Sequence, residues 1–410
     1  MTRRVVITGM GIISCLGNDL NTVTHALQTS RSGLRYVPEY ASLGLRSCIA
    51  GIPDISNLPP INRKTRRFMG DAALYAHYAM EQALSESQLN SATITSPRTG
   101  LIVGSGVGSP FEHTTAMDIF RTNGLSKVLP YAVPRIMGST TSACLTTAFG
   151  IQGISCSITS ACATSAHCIG YGTELIQFNK QDVMIVGGAE EVRWTTTAPF
   201  DAMGALSTRY NNITASRPYD ANRDGFVIAG GAGILILEEL EHARRRNAPI
   251  YAEITGYGAC SDGQQDMVTP SIQGSARAMR LALAESQNQS ISDMSIDYIN
   301  AHATSTPIGD ICELNAIQEV FGSNIPLISS TKGLTGHPIA TSAVHEAIYA
   351  MLMLKHEFIA GCTNIHKLDS AIKDMPILTK NIDRRINTIM SNSFGFGGTN
   401  ASLIFQRLTH

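Results

Sequence analysis

An internal repeat constrains the fold of this chain more than any other feature of its sequence. Val5–Gly11 (VVITGMG) and Ile250–Gly258 (IYAEITGYG) are both apolar, strand-like segments that run into two glycines separated by one residue. A further strand-like segment follows in each half, at Leu101–Gly104 and at Ile296–Asn300. We predict that the first strand ends at Gly9. Two copies of one strand–helix unit predict two stacked α/β halves with mixed sheets.

The repeat continues through a third strand and the helix that follows it. Ile154–Ile158 is apolar and runs towards a helical pattern that starts at Ala163, and we predict that it is a buried interior strand. Leu327–Ser330, followed by the helical segment Ser342–Lys355, occupies the same place in the second half. The last strand, Thr388–Ser391, is predicted to turn at glycines and return as a hairpin.

Length and composition agree with this duplicated architecture. The chain has 410 residues, of which 43% are hydrophobic and 15% charged, so it can bury a sizeable core. We place the N-terminal half at residues 1–249 and the C-terminal half at residues 250–410. Strand ends from both halves are expected to supply an active site at their junction.

Charge and cysteine content restrict the partners and the compartment. A formal net charge of −1 gives no overall attraction for nucleic acid or an anionic membrane. The longest apolar run, Ala347–Leu354, is far shorter than the roughly 20 residues of a membrane span. Nine cysteines without a CxxC pair indicate reduced thiols in a cytoplasmic protein, rather than disulfides or a zinc site.

Cys162 lies where the third strand of the first half meets its helix. Small residues surround it in Ser160–Ser165 (SACATS), which allows other backbone to approach the corner closely. A thiol at a helix N-terminus lies at the positive end of the helix dipole, which favours the thiolate. We therefore predict that Cys162 is a nucleophile with a lowered pKa.

Two histidines follow strands in the other half of the repeat. His302 comes directly after the strand that ends at Asn300, and His337 follows the strand Leu327–Ser330. A single histidine is more often structural than catalytic. Two histidines at strand ends of a repeat whose other copy holds Cys162 are candidate catalytic partners of the thiol.

Long segments of the chain resemble the β-ketoacyl-[acyl-carrier-protein] synthases, most closely synthase I of bacterial type II fatty-acid synthesis. The resemblance covers essentially the whole chain and implies a thiolase-like fold with αβαβα layers, a homodimer and a Cys-His-His active site. It is carried by Ser160–Gly170, Phe200–Thr208, Asp224–Gly231, Thr331–His337 and Met390–Ala401.

The resemblance also implies the catalytic roles. Cys162 accepts the acyl group, and the neutral imidazoles of His302 and His337 stabilise the enolate formed when malonyl-carrier protein loses carbon dioxide. Lys332 matches the essential lysine of the family and acts as an electrostatic organiser. We expect Glu313 to be its ionic partner.

A glycine-rich loop and the carrier-protein contacts complete the implied set. The backbone N–H groups of Cys162 and Phe396 form the oxyanion hole, and Phe394–Gly395 belong to a loop that gates acylation and condensation. Thr304 and Thr306 contact the 4′-phosphopantetheine arm, which arrives on the carrier protein, so no tightly bound cofactor is expected. The residues expected to meet the acidic carrier protein are Lys64, Arg67 and Lys127, and those of a structural monovalent-cation site are Asn300, Glu346, Ser391 and Asn392.

Two departures from the family pattern leave substrate preference open. Ala303 replaces the usual glycine, which adds a methyl group to the malonyl pocket, and Pro338–Ala343 replaces a run of smaller residues. The sequence predicts a two-carbon extension of a fatty acyl chain. Three alternatives stay open: a thiolase, which would need a cysteine near Phe396, a non-catalytic chain-length partner, and an accessory synthase of a specialised polyene or polyketide pathway.

Overall fold

A ten-stranded mixed sheet with helices on its faces organises the computed structural model, which describes residues 3–263, 266–288 and 295–408. Its strand order is β11-β10-β14-β15-β9-β1-β8-β6-β4-β5. The described strands are β1 (Val5–Ile13), β2 (Arg35–Tyr36), β3 (Ile49–Gly51), β4 (Thr99–Gly104), β5 (Ser155–Cys156), β6 (Val183–Glu190), β7 (Ile228–Ala229), β8 (Gly231–Glu239), β9 (Ala252–Ser261), β10 (Tyr298–Asn300), β11 (Leu327–Ser329), β12 (Phe358–Ile359), β13 (Ile382–Asp383), β14 (Thr388–Gly395) and β15 (Thr399–Gln406).

Helices connect these strands and cover the sheet. The described α-helices are α1 (Leu20–Gln28), α2 (Pro38–Ser42), α3 (Arg63–Arg66), α4 (Asp71–Ser87), α5 (Ser91–Ile94), α6 (Pro110–Asn123), α7 (Ala132–Ile136), α8 (Thr140–Phe149), α9 (Thr164–Gln177), α10 (Trp194–Ala202), α11 (Leu240–Arg245), α12 (Ile272–Asn288), α13 (Gly309–Phe321), α14 (Lys332–Thr335) and α15 (Ser342–His356). Short 3₁₀ turns lie at Leu125–Lys127, Ala161–Ala163, Ile339–Thr341 and Ser370–Ile372.

The sheet repeats the same strand pattern twice. The order β1-β8-β6-β4-β5 matches β9-β15-β14-β10-β11, and in each copy the first three strands are antiparallel and the last three parallel. The copies join edge to edge through three antiparallel residue pairs between β1 and β9. This confirms the predicted α/β class with duplicated halves and mixed pairing. The division at 249/250 lies in the connection between α11 and β9 and stays a prediction.

The apolar core forms three layers around the sheet. The largest cluster surrounds α9 and α15 and includes side chains from both copies of the sheet, such as Val186 of β6 and Leu403 of β15. A second cluster lies under α4 on the first copy, and a third lies under α12 and α13 on the second. The two helices that follow the repeated third strands are therefore enclosed between the half-sheets, which agrees with αβαβα layering.

Two strand predictions were wrong in detail. β1 does not end at Gly9 but continues to Ile13. Its glycines do not form a turn; they let α4 pack closely against the strand, because a Cβ on Gly11 would lie 1.9 Å from the Ala79 carbonyl oxygen. Ile154–Ile158 is not a buried interior strand. Only Ser155–Cys156 pair, at the edge of the sheet, and both residues are exposed.

The sequence predicted no segment long enough to span a membrane. Within residues 3–263, 266–288 and 295–408, no helix combines the length and apolar character that crossing a bilayer requires.

Candidate active site

Cys162 lies in a tight 3₁₀ turn immediately before α9. The preceding residue, Ala161, has a φ of 48°, a left-handed conformation that costs a non-glycine residue about 1 kcal/mol or more. Thr164 holds the turn: its hydroxyl donates to the Ala161 carbonyl at 2.8 Å and accepts from the Ser160 N–H at 2.8 Å. The turn therefore presents Cys162 at a fixed angle, at the junction that the repeat predicted.

Two histidines from the C-terminal half converge on the thiol. His302 follows β10, and His337 lies between α14 and the 3₁₀ turn that leads into α15. The Nε2 atom of His337 is 2.9 Å from the Cys162 Sγ atom. The two imidazole rings are nearly perpendicular, with centroids 5.2 Å apart. The structure thus brings together the three residues that the sequence singled out.

Burial keeps both imidazoles neutral. It lowers the pKa of His302 and of His337 well below the usual 6.5, and the positive charge of Lys332 lowers both further. A neutral imidazole has one N–H donor and one lone pair, so each ring can either donate or accept a hydrogen bond. This protonation state agrees with the expected role of enolate stabilisation.

The predicted lowering of the Cys162 pKa was wrong. Burial raises the pKa of this thiol to about 12, although Lys332 and the backbone N–H of Phe396 oppose the rise. The loss of solvation of a thiolate in this turn outweighs the lysine charge and the backbone N–H groups that favour it. Cys162 is therefore a protonated thiol near neutral pH, and use of its sulfur as a nucleophile requires loss of that proton. The His337 Nε2 atom is close enough to receive it.

Lys332 pairs with a different glutamate from the one expected. Its ammonium group forms an ion pair with Glu346 of α15, and both side chains are at most 3% exposed. Glu313 instead accepts hydrogen bonds from the backbone N–H groups of His302 at 2.9 Å and Ala303 at 2.8 Å. The sequence could not show which glutamate pairs with Lys332, because only the packing of α13 and α15 decides which carboxylate faces the lysine.

The glycine-rich turn between β14 and β15 closes over the nucleophile. A Cβ on Gly395 would lie 3.1 Å from the Cys162 nitrogen, so the loop and the 3₁₀ turn are in contact. The Thr399 hydroxyl donates to the Ser160 carbonyl at 3.0 Å and fixes this approach. The ring of Phe394 lies 6.2 Å from His302. The Phe396 N–H points at the sulfur region, as an oxyanion-hole donor requires.

A cavity of about 400 Å³ leads to the three reactive side chains. Thr304 and Thr306 lie in its wall with their hydroxyl oxygens 3.2 Å apart. Asp310 supports this loop by accepting the N–H groups of Ser305 at 3.0 Å and Thr306 at 3.2 Å. The two threonines are thus available to a ligand that enters from outside.

Several wall residues were not assigned a role from the sequence. Phe226 packs edge-on against His337 with ring centroids 5.4 Å apart, and Phe200 packs against Phe226. Both lie in segments that carry the family resemblance, and this resemblance was the sequence signal that could have identified them. Glu190, which does not line the cavity but acts electrostatically on Cys162, was also missed: its buried carboxyl group accepts the Gly106 N–H at 2.9 Å, and burial raises its pKa to about 7.

The two departures from the family pattern both reach the cavity. Ala303 is buried and contributes its methyl group to the wall. Ile339, within Pro338–Ala343, also lines the cavity and has a φ of 45°, which is unusual for a β-branched residue. Their positions agree with an effect on substrate fit rather than on the type of reaction.

The expected carrier-protein residues lie outside the cavity. Lys64 is on α3, Arg67 follows it, and Lys127 ends the 3₁₀ turn after α6, and all three side chains are exposed. Arg67 stacks on the Phe68 ring at 4.6 Å, which leaves its charge at the surface.

The proposed monovalent-cation residues fit only in part. Asn300 and Ser391 face each other in the β10–β14 register, and the Asn300 side-chain oxygen and the Ser391 hydroxyl are buried without a hydrogen-bond partner among the described residues. Such oxygens suit a hard cation. The Glu346 carboxylate is paired with Lys332, and the Asn392 side chain is hydrogen-bonded to Glu313 and Ser402. A cation here would be structural.

Comparison with known families gives two matches that together span most of the chain. The model described as "Beta-ketoacyl synthase, N-terminal domain" matches residues 2–243, and the model "Beta-ketoacyl synthase, C-terminal domain" matches residues 251–366. The 3-oxoacyl-[acyl-carrier-protein] synthase 1 of Haemophilus influenzae is 51% identical over 409 residues, which cover 99% of each chain.

Solved structures agree with this similarity. A beta-ketoacyl synthase from Burkholderia phymatum superimposes with a TM-score of 0.92 at 35% identity, covering 99% of this chain and all of the other. A ketosynthase bound to a hexaketide, in complex with its type II polyketide acyl-carrier protein, gives a TM-score of 0.88 at 27% identity and covers both chains completely.

The Lys332 ion pair leads to a double-mutant prediction. We expect Lys332→Met and Glu346→Gln to show a coupling energy of about 1–3 kcal/mol in the free energy of unfolding, because the two buried charges are in contact. Lys332→Met and Glu313→Gln should show a smaller coupling, because Lys332 acts on Glu313 through space but forms its ion pair with Glu346. Urea unfolding followed by circular dichroism measures both cycles. Equal coupling in the two cycles would contradict the assignment.

Proposed function

The chain belongs to the beta-ketoacyl synthase family, and from that premise we propose how its residues extend a fatty acyl chain by two carbons. The reaction is that of a 3-oxoacyl-[acyl-carrier-protein] synthase, an acyltransferase. The observation that carries the residue assignment is the 2.9 Å contact between the Cys162 Sγ and the His337 Nε2 atoms, with His302 beside them in the same cavity.

In the first half-reaction, the acyl group moves from the carrier protein to Cys162. The sulfur attacks the thioester carbonyl carbon, and the bond from that carbon to the phosphopantetheine sulfur breaks. His337 accepts the thiol proton and passes it to the departing phosphopantetheine sulfur. The N–H groups of Cys162 and Phe396 stabilise the oxyanion that forms meanwhile, an interaction worth about 3–4 kcal/mol per donor.

In the second half-reaction, malonyl-carrier protein occupies the same cavity. The bond to its carboxylate carbon breaks, carbon dioxide leaves, and the electron pair forms an enolate next to the thioester. N–H donors of His302 and His337 stabilise the enolate oxygen in a site that excludes water. The enolate carbon attacks the acyl carbon on Cys162, the carbon–sulfur bond breaks, and the Cys162 thiolate that leaves takes up one proton from solvent. The product is a 3-oxoacyl-carrier protein.

Other residues position this machinery. Glu313 holds the backbone of His302 and Ala303, and the Lys332–Glu346 pair places a positive charge near all three reactive groups. Thr304 and Thr306 receive the 4′-phosphopantetheine arm, which the carrier protein supplies. Phe394 and Gly395 belong to the loop that admits each substrate in turn.

The partner in both half-reactions is an acidic acyl carrier protein. Carrier-protein binding in the polyketide ketosynthase structure supports this class of partner. We assign the contact to the exposed charges of Lys64, Arg67 and Lys127. Electrostatic attraction between exposed charges mainly speeds encounter and fixes orientation.

A homodimer is the proposed assembly. β5 is an edge strand whose backbone groups are free to pair, and Ile154 beside it is 40% exposed. Large apolar side chains are also exposed along α6, α7 and the segment that joins them: Phe120, Leu125, Leu129 and Val133. An unpaired edge strand beside such side chains is suited to a self-complementary interface.

The alternatives are weaker. A thiolase would need a second cysteine in the glycine-rich loop, where Phe396 lies, and a non-catalytic partner subunit would not need Cys162 in contact with His337. Ala303 and Ile339 in the cavity wall keep an accessory synthase as a second candidate. All nine cysteines are unpaired, which fits the proposed cytoplasmic location.

Acylation of Cys162 is the direct test of the mechanism. Intact-protein mass spectrometry with acyl-carrier proteins should detect an acyl adduct on the wild type and on the control Cys156→Ala, but none on Cys162→Ala. We expect His302→Ala and His337→Ala each to slow malonyl decarboxylation by about 10²–10³-fold, because each removes one enolate donor. A wild type that neither takes up acyl groups nor condenses would favour the partner-subunit alternative.

Charge reversal tests the carrier-protein surface. Exposed ion pairs contribute about 0.2–1 kcal/mol each, so Lys64→Glu, Arg67→Glu and Lys127→Glu combined should raise the KM for acyl-carrier protein about tenfold while kcat is unchanged. The difference should shrink at high salt. Reversal of another exposed lysine, Lys373→Glu, is the matched control. An unchanged KM in the triple variant would reject this surface.

Light scattering after size-exclusion chromatography tests the dimer. The wild type should elute at twice the mass of the chain, and Ile154→Lys should shift it towards the monomer because a charge at the β5 edge opposes strand pairing. Leu43→Lys, at an exposed leucine elsewhere, should leave the dimer intact. A monomeric wild type would overturn the proposal.

A further inference from the structure

We propose that Cys162, His302 and His337 also form a three-ligand site for a thiophilic divalent cation such as Zn²⁺, and that the cation blocks the nucleophile. One ligand atom from each side chain lies within 4.8 Å of the other two. One thiolate and two neutral imidazoles are a typical zinc donor set. The inference depends only on this geometry, so it stands or falls independently of the proposed condensation reaction.

The distances require little rearrangement. Zinc binds sulfur at about 2.3 Å and imidazole nitrogen at about 2.0–2.1 Å, which places tetrahedral ligand atoms about 3.3–3.6 Å apart. The present 2.9 Å contact between Cys162 and His337 must widen by about 0.6 Å. His302 must move inward from at most 4.8 Å. Side-chain rotations of this size do not disturb the backbone that holds the three residues.

The cavity gives the ion an entry path and an open fourth position. All three side chains line the cavity of about 400 Å³ that opens to solvent between the two halves of the sheet. A water molecule, or a carboxylate or thiolate entering the cavity, can complete the tetrahedron. The site therefore resembles an open zinc site rather than a closed structural one.

The surrounding charges tolerate a cation. Lys332 is the nearest positive group, but Glu346 pairs with it. Two further buried carboxylates, Glu190 and Glu313, lie close enough to act on the thiol or to bind the His302 backbone. The carboxyl groups of Glu346, Glu190 and Glu313 therefore reduce the repulsion that the Lys332 charge exerts on Zn²⁺.

The second coordination shell limits the affinity. The Nδ1 atoms of both histidines are buried without a hydrogen-bond partner among the described residues. In dedicated zinc sites, the second ring nitrogen usually donates to a carboxylate or carbonyl, which orients the ligand and is worth about 10–100-fold in affinity. We therefore expect binding that a strong chelator reverses.

Binding of the metal and acylation exclude each other. When Zn²⁺ binds, the Cys162 S–H bond breaks, the sulfur lone pair forms the Zn–S bond, and the proton goes to solvent. The sulfur of an acylated Cys162 is a thioester and no longer a thiolate ligand. Zinc should consequently protect Cys162 from alkylation, and prior alkylation should abolish the site.

Direct metal binding tests the proposal without any carrier protein. Untagged full-length protein is titrated with Zn²⁺ against a chromophoric zinc indicator, and Cd²⁺ is added separately to record the sulfur-to-cadmium charge-transfer absorbance. We expect one equivalent per chain in the wild type and in Cys156→Ala, which lacks an exposed thiol outside the cavity. Cys162→Ala, His302→Ala and His337→Ala should each lose more than about 100-fold in affinity.

Two controls make a negative result interpretable. Circular dichroism shows whether each variant is folded. Cys156→Ala protein alkylated with iodoacetamide, with the modification located at Cys162 by peptide mass spectrometry, loses the sulfur ligand without a substitution at the site. No stoichiometric binding by the wild type, or full binding by folded Cys162→Ala or by the alkylated protein, would overturn the proposal. Because no acyl transfer is measured, failure of the condensation mechanism would leave this outcome unaffected.

Discussion

The enclosure of α9 and α15 between the two copies of the sheet determines the rest of this structure. The helices are linked directly, since the Val344 N–H donates to the Ser165 hydroxyl at 3.0 Å. Cys162 lies just before the first helix and His337 just before the second, so packing the helix starts together brings sulfur and imidazole into contact. The duplicated topology thus places residues 175 positions apart within hydrogen-bond distance.

Loss of solvent sets the chemistry at that contact. Burial raises the pKa of Cys162 and lowers those of the two histidines, so all three groups are neutral at rest. A neutral set avoids the free-energy cost of a buried charge, while its N–H groups and lone pairs are already oriented for charge that develops during reaction. The positive charge of Lys332, which acts on all three groups, is paired with Glu346.

The same arrangement accounts for both proposed properties of the site. A sulfur and two imidazole nitrogens that converge on one point can stabilise a transient oxyanion, and they can equally surround a soft cation. A site whose donor atoms converge in this way therefore also binds metal ions, unless an acyl group or a closed loop fills the space between the three side chains. The unpartnered Nδ1 atoms distinguish this site from one built to retain a metal.

The sequence by itself determined the duplicated α/β architecture and singled out Cys162, His302 and His337, which the structure brings together, because strand periodicity, glycine turns and long motifs are local features. It failed for Ile154–Ile158, where an apolar pattern proved to be an exposed edge, since periodicity does not reveal which strand ends a sheet. Only the tertiary structure decided that Lys332 faces Glu346 rather than Glu313, and that burial raises the pKa of Cys162. Both outcomes depend on which atoms surround a group in space, and this is a property of packing between segments distant in the chain.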